Sequence, residues 1–242
     1  MTTKYRKIPI LWEDEDILAV SKPAGILTLP DRYLPQIPHI AALLTPRFGP
    51  LWINHRLDKE TSGVLVLSRS EKAHKILSAQ FENRAIQKVY HVLVVGSPEW
   101  NEKSVNLPLL ADGDRRHRTV IDRRGGKPSI TELRVLERIG PFSLIEARPL
   151  TGRTHQIRVH LKAVGLPIAV DTLYAKGKPI FLSEYKRGYR ASRDGEKPLL
   201  ARLGLHAFSL TFQHPISRDT ITLEAPYAKD FAATIKQLRR CF

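Results

Sequence analysis

The apolar run Val64-Leu65-Val66-Leu67 constrains this chain more than any other stretch. It is entered through His55-Arg56-Leu57-Asp58-Lys59-Glu60-Thr61-Ser62-Gly63. Four consecutive aliphatic residues behind a polar, turn-forming segment read as a buried strand. The one carboxylate after the basic-apolar triplet, Asp58, is then held on a loop that leads into a rigid element.

Other segments carry similar signals. Ile17-Leu18-Ala19-Val20 closes on Lys22-Pro23-Ala24-Gly25, a strand followed by a turn. Five prolines between residues 28 and 50 predict a long loop around a short helical piece. Ser68-Arg69-Ser70-Glu71 has capping-box spacing, and Ala73, Ile76, Leu77 and Phe81 follow at helical intervals. Lys88 to Val95 is rich in β-branched and aromatic residues and predicts a strand. Ile130 to Leu136 and Phe142 to Ala147 predict a strand pair turned at Gly140-Pro141, and Leu205 to Phe212 with Thr220 to Glu224 predict late strands. Thr154 to Val164 predicts a helix, with Ile157, Leu161 and Val164 on one face and Gly165 and Pro167 as its stop. Helices and strands interleave without regular alternation. The expected class is α+β, a mixed, largely antiparallel central sheet with flanking helices and loops.

At 242 residues the chain can bury a large core, as one domain or two lobes. The net charge of +15 and a sequence pI near 10.1 favour a polyanionic partner, nucleic acid before an anionic membrane surface. A basic surface kept for solubility is the bland alternative. The single cysteine, Cys241, excludes an internal disulfide and a cysteine-rich zinc site, and fits a reducing cytoplasm. Residues 1–7 lack the apolar core of a signal peptide, and no apolar run approaches the roughly 20 residues of a membrane span.

Positive charge concentrates in two segments. The first holds Arg115, Arg116, Arg118, Arg123, Arg124 and Lys127. The second holds Lys176, Lys178, Lys186, Arg187, Arg190, Arg193, Lys197 and Arg202, interleaved with Tyr174, Phe181, Tyr185 and Tyr189. Cations suit phosphates, and aromatic faces suit unpaired bases. The alternative is a solvated loop whose aromatics tuck into the body.

By itself Asp58 reads as a turn former or helix cap. Competing chemistries lack their signatures: there is no Gly-rich phosphate loop and no Gly-x-Ser-x-Gly elbow. His155 and His160, five apart, fall on different helix faces and make a poor metal pair. No metal site is expected.

Taken together the motifs resemble the RluA-type family of RNA pseudouridine synthases. Lys22-Pro23-Ala24-Gly25 is similar to its first motif, His55 to Gly63 to the second, and Arg153 to Leu161 to the third. Lys88-Val89-Tyr90 is similar to the tyrosine motif, and Leu205-His206-Ala207 and His214-Pro215 to late elements. The order is kept along most of the chain. The segment Val170-Asp171-Thr172-Leu173-Tyr174-Ala175 departs where many relatives carry glycine, and Ala225-Pro226-Tyr227-Ala228 lacks a second proline.

The resemblance implies one catalytic domain over residues 1–242, with two lobes, an active-site cleft between them and no S4-type accessory domain. It implies isomerisation of uridine in structured ribosomal or transfer RNA, without cofactor or metal. Asp58 would be the catalytic carboxylate, Arg158 its guanidinium partner, and Tyr90 the residue that stacks on uracil and handles the C5 proton. Arg56 would fill the gap left by the flipped base, or contact phosphate. Further RNA contacts are expected from His55, Lys22, Arg153, His155, Arg116, Arg118, Lys186, Arg187 and Arg190. A monomer without membrane attachment is expected. The rivals are a catalytically silent RNA-binding module and a nucleosidase or glycosidase, the latter needing a second carboxylate absent from these motifs.

Overall fold

The structure is a computed structural model and describes residues 8–31, 33–190 and 195–242. Arg193 of the second basic segment lies outside the described residues. The chain divides into two compact units, Met1–Val89 with His206–Pro226, and Tyr90–Leu205 with Tyr227–Phe242.

The first unit is built on β4 (Ser62–Ser68), every residue of which is buried, as the sequence predicts. Along one edge it pairs antiparallel with β2 (Ile17–Lys22), in register from Ile17 opposite Ser68 to Lys22 opposite Gly63. β1 (Ile10–Glu13) continues the sheet beyond β2. The remaining partners are the short β3 (Trp52–Ile53), antiparallel near the end of β4, and β11 (Leu205–Gln213), parallel near its start. β12 (Thr220–Glu224) lies antiparallel on β11. Alternate residues Ile17, Ala19, Val64 and Val66 meet Leu77, Ile86, Leu210 and Phe212 in one apolar cluster. The opposite-facing Leu18, Val20, Leu65 and Leu67 are also fully buried. Burial of both faces explains the continuous, non-alternating apolar run.

Two helices complete this unit. α1 (Ile40–Phe48) forms within the proline-rich stretch and accommodates Pro46 in its last turn. α2 (Glu71–Glu82) packs on β3 and β4 through Ala73 and Leu77. Its cap differs from the expected one. Ser70 Oγ accepts the Ala73 N–H, whereas Ser68 is buried at the end of β4 and donates to Asn54 Oδ1 at 2.8 Å. Burial of Ser68 takes it out of reach of the helix terminus.

The second unit holds an antiparallel sheet in the order β5 (Gln87–Val95), β10 (Phe142–Pro149), β9 (Ile130–Ile139) and β6 (Glu102–Asn106). A two-stranded hairpin, β7 (Leu109–Leu110) and β8 (Val120–Ile121), carries the first basic segment. α3 (Gln156–Ala163) covers β9 and β10, burying Ile157 and Leu161 against Val92, Val94, Ile145 and Ala147. α4 (Lys229–Leu238) places Phe231, Ile235 and Leu238 in a second cluster with Leu93, Phe142 and Leu144. The parallel pairing of β4 with β11 among antiparallel ones makes the class α+β with a mixed sheet, as expected.

Candidate active site

Asp58 sits on a turn whose main chain is fixed on both sides. Before it, Leu57 N–H donates to Thr28 Oγ1 at 3.1 Å, and that hydroxyl donates to the Leu57 carbonyl at 2.8 Å. After it, the Lys59 carbonyl accepts Gly25 N–H at 2.7 Å and the Lys22 ammonium at 3.3 Å. The Asp58 carbonyl itself accepts Thr61 N–H at 3.0 Å. Leu57 is buried and Asp58 half-buried, while Arg56, Lys59 and Glu60 are exposed. The loop therefore offers two charges of opposite sign, Arg56 and Asp58, from a backbone with little freedom.

Lys22 corrects one expectation. It is fully buried, and its ammonium donates inward to the carbonyls of Pro23, Ile26 and Lys59 at 3.0, 2.9 and 3.3 Å. It fastens the Asp58 loop and does not face RNA. His55 also holds the loop. Its Nε2 accepts the Val66 N–H at 3.0 Å, and its ring stacks on Phe81 at 4.4 Å. Burial, helped by the positive charge of Lys88, depresses its pKa to about 3. This imidazole, its acceptor taken by β4, anchors the loop.

The end of the second motif is explained by β11. Ser62 Oγ lies 2.9 Å from His206 Nδ1, and His206 Nε2 donates to the Ala225 carbonyl at 3.1 Å. Gly63 has φ 120°, and a Cβ there would stand 2.0 Å from the Ala207 carbonyl oxygen. Glycine is required where β4 and β11 touch.

In the second unit, Tyr90 lies on β5 opposite Ala147, half-buried against the cluster that α3 covers. α3 begins at His155, in the left-handed region at φ 53°. The motif around it contains a buried polar chain. Gln156 joins Thr151 and Thr131, and His160 sits between Thr131 Oγ1 and the Leu107 carbonyl at 2.9 and 3.0 Å. Burial holds the His160 pKa below the ordinary histidine value. These residues fix α3 to β9, leaving Arg158 on a rigid helix. The Nε–Nη2 edge of Arg158 pairs with Asp171 at 2.9 and 2.8 Å, an acid the sequence reading left without a role.

The basic residues differ in placement. Arg116, Lys186, Arg187 and Arg190 are exposed, and Arg153 is half-buried. Arg118 is half-buried: it pairs with Asp114 at 2.7 Å and donates to the Leu173 carbonyl at 3.2 Å, so it braces its own hairpin. Two of the aromatics expected as stacking faces also turn inward. Tyr174 is buried beside α3, and Tyr185 packs on Phe142 and Phe242. His155 Nδ1 lies 2.9 Å from the Tyr174 hydroxyl.

Among the described residues one cluster, Asp14, Asp16 and His214, has a spacing that a metal ion could use. The Asp14 carboxylate at its centre is already engaged. Asp14 accepts from Trp12 Nε1 and from the N–H groups of Asp16 and Ile17. His214 Nδ1 accepts from Ser217 N–H at 3.1 Å, which places the ring proton on Nε2, facing Asp14 Oδ2 at 3.2 Å. No helix among the described residues is long and apolar enough to cross a membrane.

Comparison with known proteins supplies the family. The model of the RNA pseudouridylate synthase family matches residues 16–163, which include both the Asp58 loop and α3. The chain is 33% identical to the dual-specificity RNA pseudouridine synthase RluA of Vibrio cholerae, across 90% of the chain and 82% of the relative. It is 34% identical to the ribosomal large subunit pseudouridine synthase D of Neisseria meningitidis serogroup B, across 96% of the chain but 61% of the relative. The solved structure of human RNA pseudouridylate synthase domain containing 1 superposes with a TM-score of 0.72 at 25% identity, covering 99% and 97% of the two chains. The chain belongs to the RNA pseudouridylate synthase family, of the RluA type.

Proposed function

We propose that this chain isomerises uridine to pseudouridine in structured RNA, with Asp58 as the catalytic carboxylate. The observation that carries the proposal is the Asp58 turn, clamped through Thr28, Lys22 and Gly25 and set before a fully buried strand. Chemistry at a single anomeric carbon requires a carboxylate held in one place.

The reaction breaks the N1–C1′ bond of uridine, turns the uracil, joins C5 to C1′ and releases the C5 proton. Positive character builds at C1′, and an ionised Asp58 stabilises it either by attack at that carbon or by removing a sugar proton. Arg158 serves as the guanidinium partner that orients the carboxylate. Tyr90 stacks on the uracil and handles the C5 proton. Arg56, exposed two residues before Asp58, fills the space left by the flipped nucleotide. Exposed Arg116, Lys186, Arg187 and Arg190 contact phosphates, with Arg153 and His155 at the start of α3.

The substrate is a ribosomal RNA stem-loop, with transfer RNA as a second target, and the enzyme works as a cytoplasmic monomer whose two units form one catalytic domain. The name of one relative, a ribosomal large subunit pseudouridine synthase, supports the ribosomal target. The test is incubation with RNA carrying tritium at uridine C5. Stoichiometric tritium release with pseudouridine in the product supports the synthase. Binding without release means a silent RNA-binding module, and free uracil means a nucleosidase.

A further inference from the structure

Arg158 is held by a turn that also holds the basic hairpin. Its Nε and Nη2 donate to Oδ2 and Oδ1 of Asp171 at 2.9 and 2.8 Å, a parallel pair with a carboxylate only 1% exposed. The same Oδ1 accepts the N–H groups of Leu173 and Tyr174, both at 3.0 Å, which closes the turn onto the carboxylate. The Tyr174 ring lies 4.9 Å from the Arg158 guanidinium carbon and covers it. Two faces of the guanidinium are therefore set by one four-residue turn.

The other side of the turn faces the hairpin. Tyr174 Oη accepts the Thr119 N–H at 2.9 Å and lies 2.9 Å from His155 Nδ1. The Leu173 carbonyl accepts Arg118 Nη1. Thr119 and Arg118 lie in the loop joining β7 to β8, between exposed Arg115 and Arg116 and the second strand.

The turn is also built against local preference. Val170 enters it at φ 60°, a conformation that a β-branched residue adopts only when its surroundings impose it. Gly177 crosses over it so closely that a Cβ would stand 2.4 Å from the Asp171 nitrogen.

We propose that Asp171 and Tyr174 are positioning residues, Asp171 orienting Arg158 for the chemical step and the Tyr174 hydroxyl fixing the RNA-gripping hairpin to the same turn. The proposal rests on the synthase reading above. It assigns two separable effects to neighbouring residues. Asp171→Asn removes the charge that orients the guanidinium and leaves the hairpin bonds in place. Tyr174→Phe keeps the ring over Arg158 and removes only the hydroxyl.

The experiment measures single-turnover tritium release at saturating RNA, and RNA affinity separately, for both variants. Asp171→Asn is expected to lower the saturating rate about tenfold or more, since misplacement of a catalytic group by about an ångström carries losses of that order, with Kd within about twofold. Tyr174→Phe is expected to raise Kd about fivefold, the effect of losing the hydroxyl's one bond to the hairpin, with the saturating rate within about twofold. Wild-type saturating rate in Asp171→Asn, or unchanged affinity in Tyr174→Phe, overturns the corresponding role. Should Asp171→Asn not fold, Asp171→Glu decides: it keeps the charge but moves the carboxylate, and a wild-type rate overturns the orienting role. Asp58→Ala is the control. If the wild type releases no tritium, the synthase reading fails; if Asp58→Ala still releases it, the catalytic role of Asp58 fails; if Asp58→Ala is silent while Asp171→Asn is unimpaired, only the positioning role fails.

Discussion

Lys22 and His55 show what a basic residue can become when the fold turns it inward. Both belong to motifs that suggested RNA contact, and both hold the Asp58 loop instead. Sequence reveals their charge but not their direction, because the carbonyls that surround Lys22 come from Pro23, Ile26 and distant Lys59. Asp171 and Tyr174 were illegible for the same reason: their partners are 13 to 55 residues away. The loop that carries Asp58, by contrast, was legible, because a polar turn there runs straight into a buried apolar strand. Lys22→Met leaves those buried carbonyls without the ammonium and should cost about 2–4 kcal/mol, read as a shift in the urea midpoint at constant m-value. His55 predicts an acid effect. Its folded pKa of about 3 lies below the 6.5 of the unfolded ring, so between these values the unfolded chain binds a proton that the folded chain refuses. Its contribution is complete above about pH 6.5 and declines toward pH 3, at about 1.4 kcal/mol per pH unit where the difference is a full proton. Urea titrations at pH 7 and 4.5 should show the wild type losing more stability than His55→Gln, and equal losses would contradict the burial.

At the scale of elements, the sequence announced those that bury a pattern. β4, β2, β5, β9, β10, β11, β12, α2 and α3 all lie where their periodicities place them, within a few residues at the ends. The unread elements had little pattern to offer. β6 buries only Val105 of its five residues, and β3, β7 and β8 are two residues each. α4 was readable in principle, since Phe231, Ile235 and Leu238 repeat at helical spacing. The helix cap failed by two residues because two serines stood within range and only the tertiary fold chose between them. The contact of β4 with β11 carries the element-scale prediction. Gly63→Ala places a Cβ against the Ala207 carbonyl in a backbone conformation that disfavours side chains. It should destabilise the first unit by about 2–4 kcal/mol in thermal or urea unfolding, whereas Gly25→Ala, with open space around its Cβ, meets no such clash.

For the whole molecule, charge is the property that sequence conveys most directly, and +15 acquires meaning from where the cations stand. Arg115, Arg116, Arg123, Arg124, Lys186, Arg187 and Arg190 are exposed, so they are available to phosphates. RNA affinity should fall steeply with salt, by about 10³ or more between 50 and 200 mM if about six phosphates are neutralised. Filter binding across that range checks this, and a flat dependence would remove the basic loops from the interface. The central claim, however, concerns one carboxylate. It is tested by tritium release from RNA labelled at uridine C5, with wild-type protein beside folded Asp58→Ala. The account predicts one tritium released per pseudouridine formed by the wild type, and RNA binding without release by the variant. Release by Asp58→Ala at the wild-type rate would contradict it.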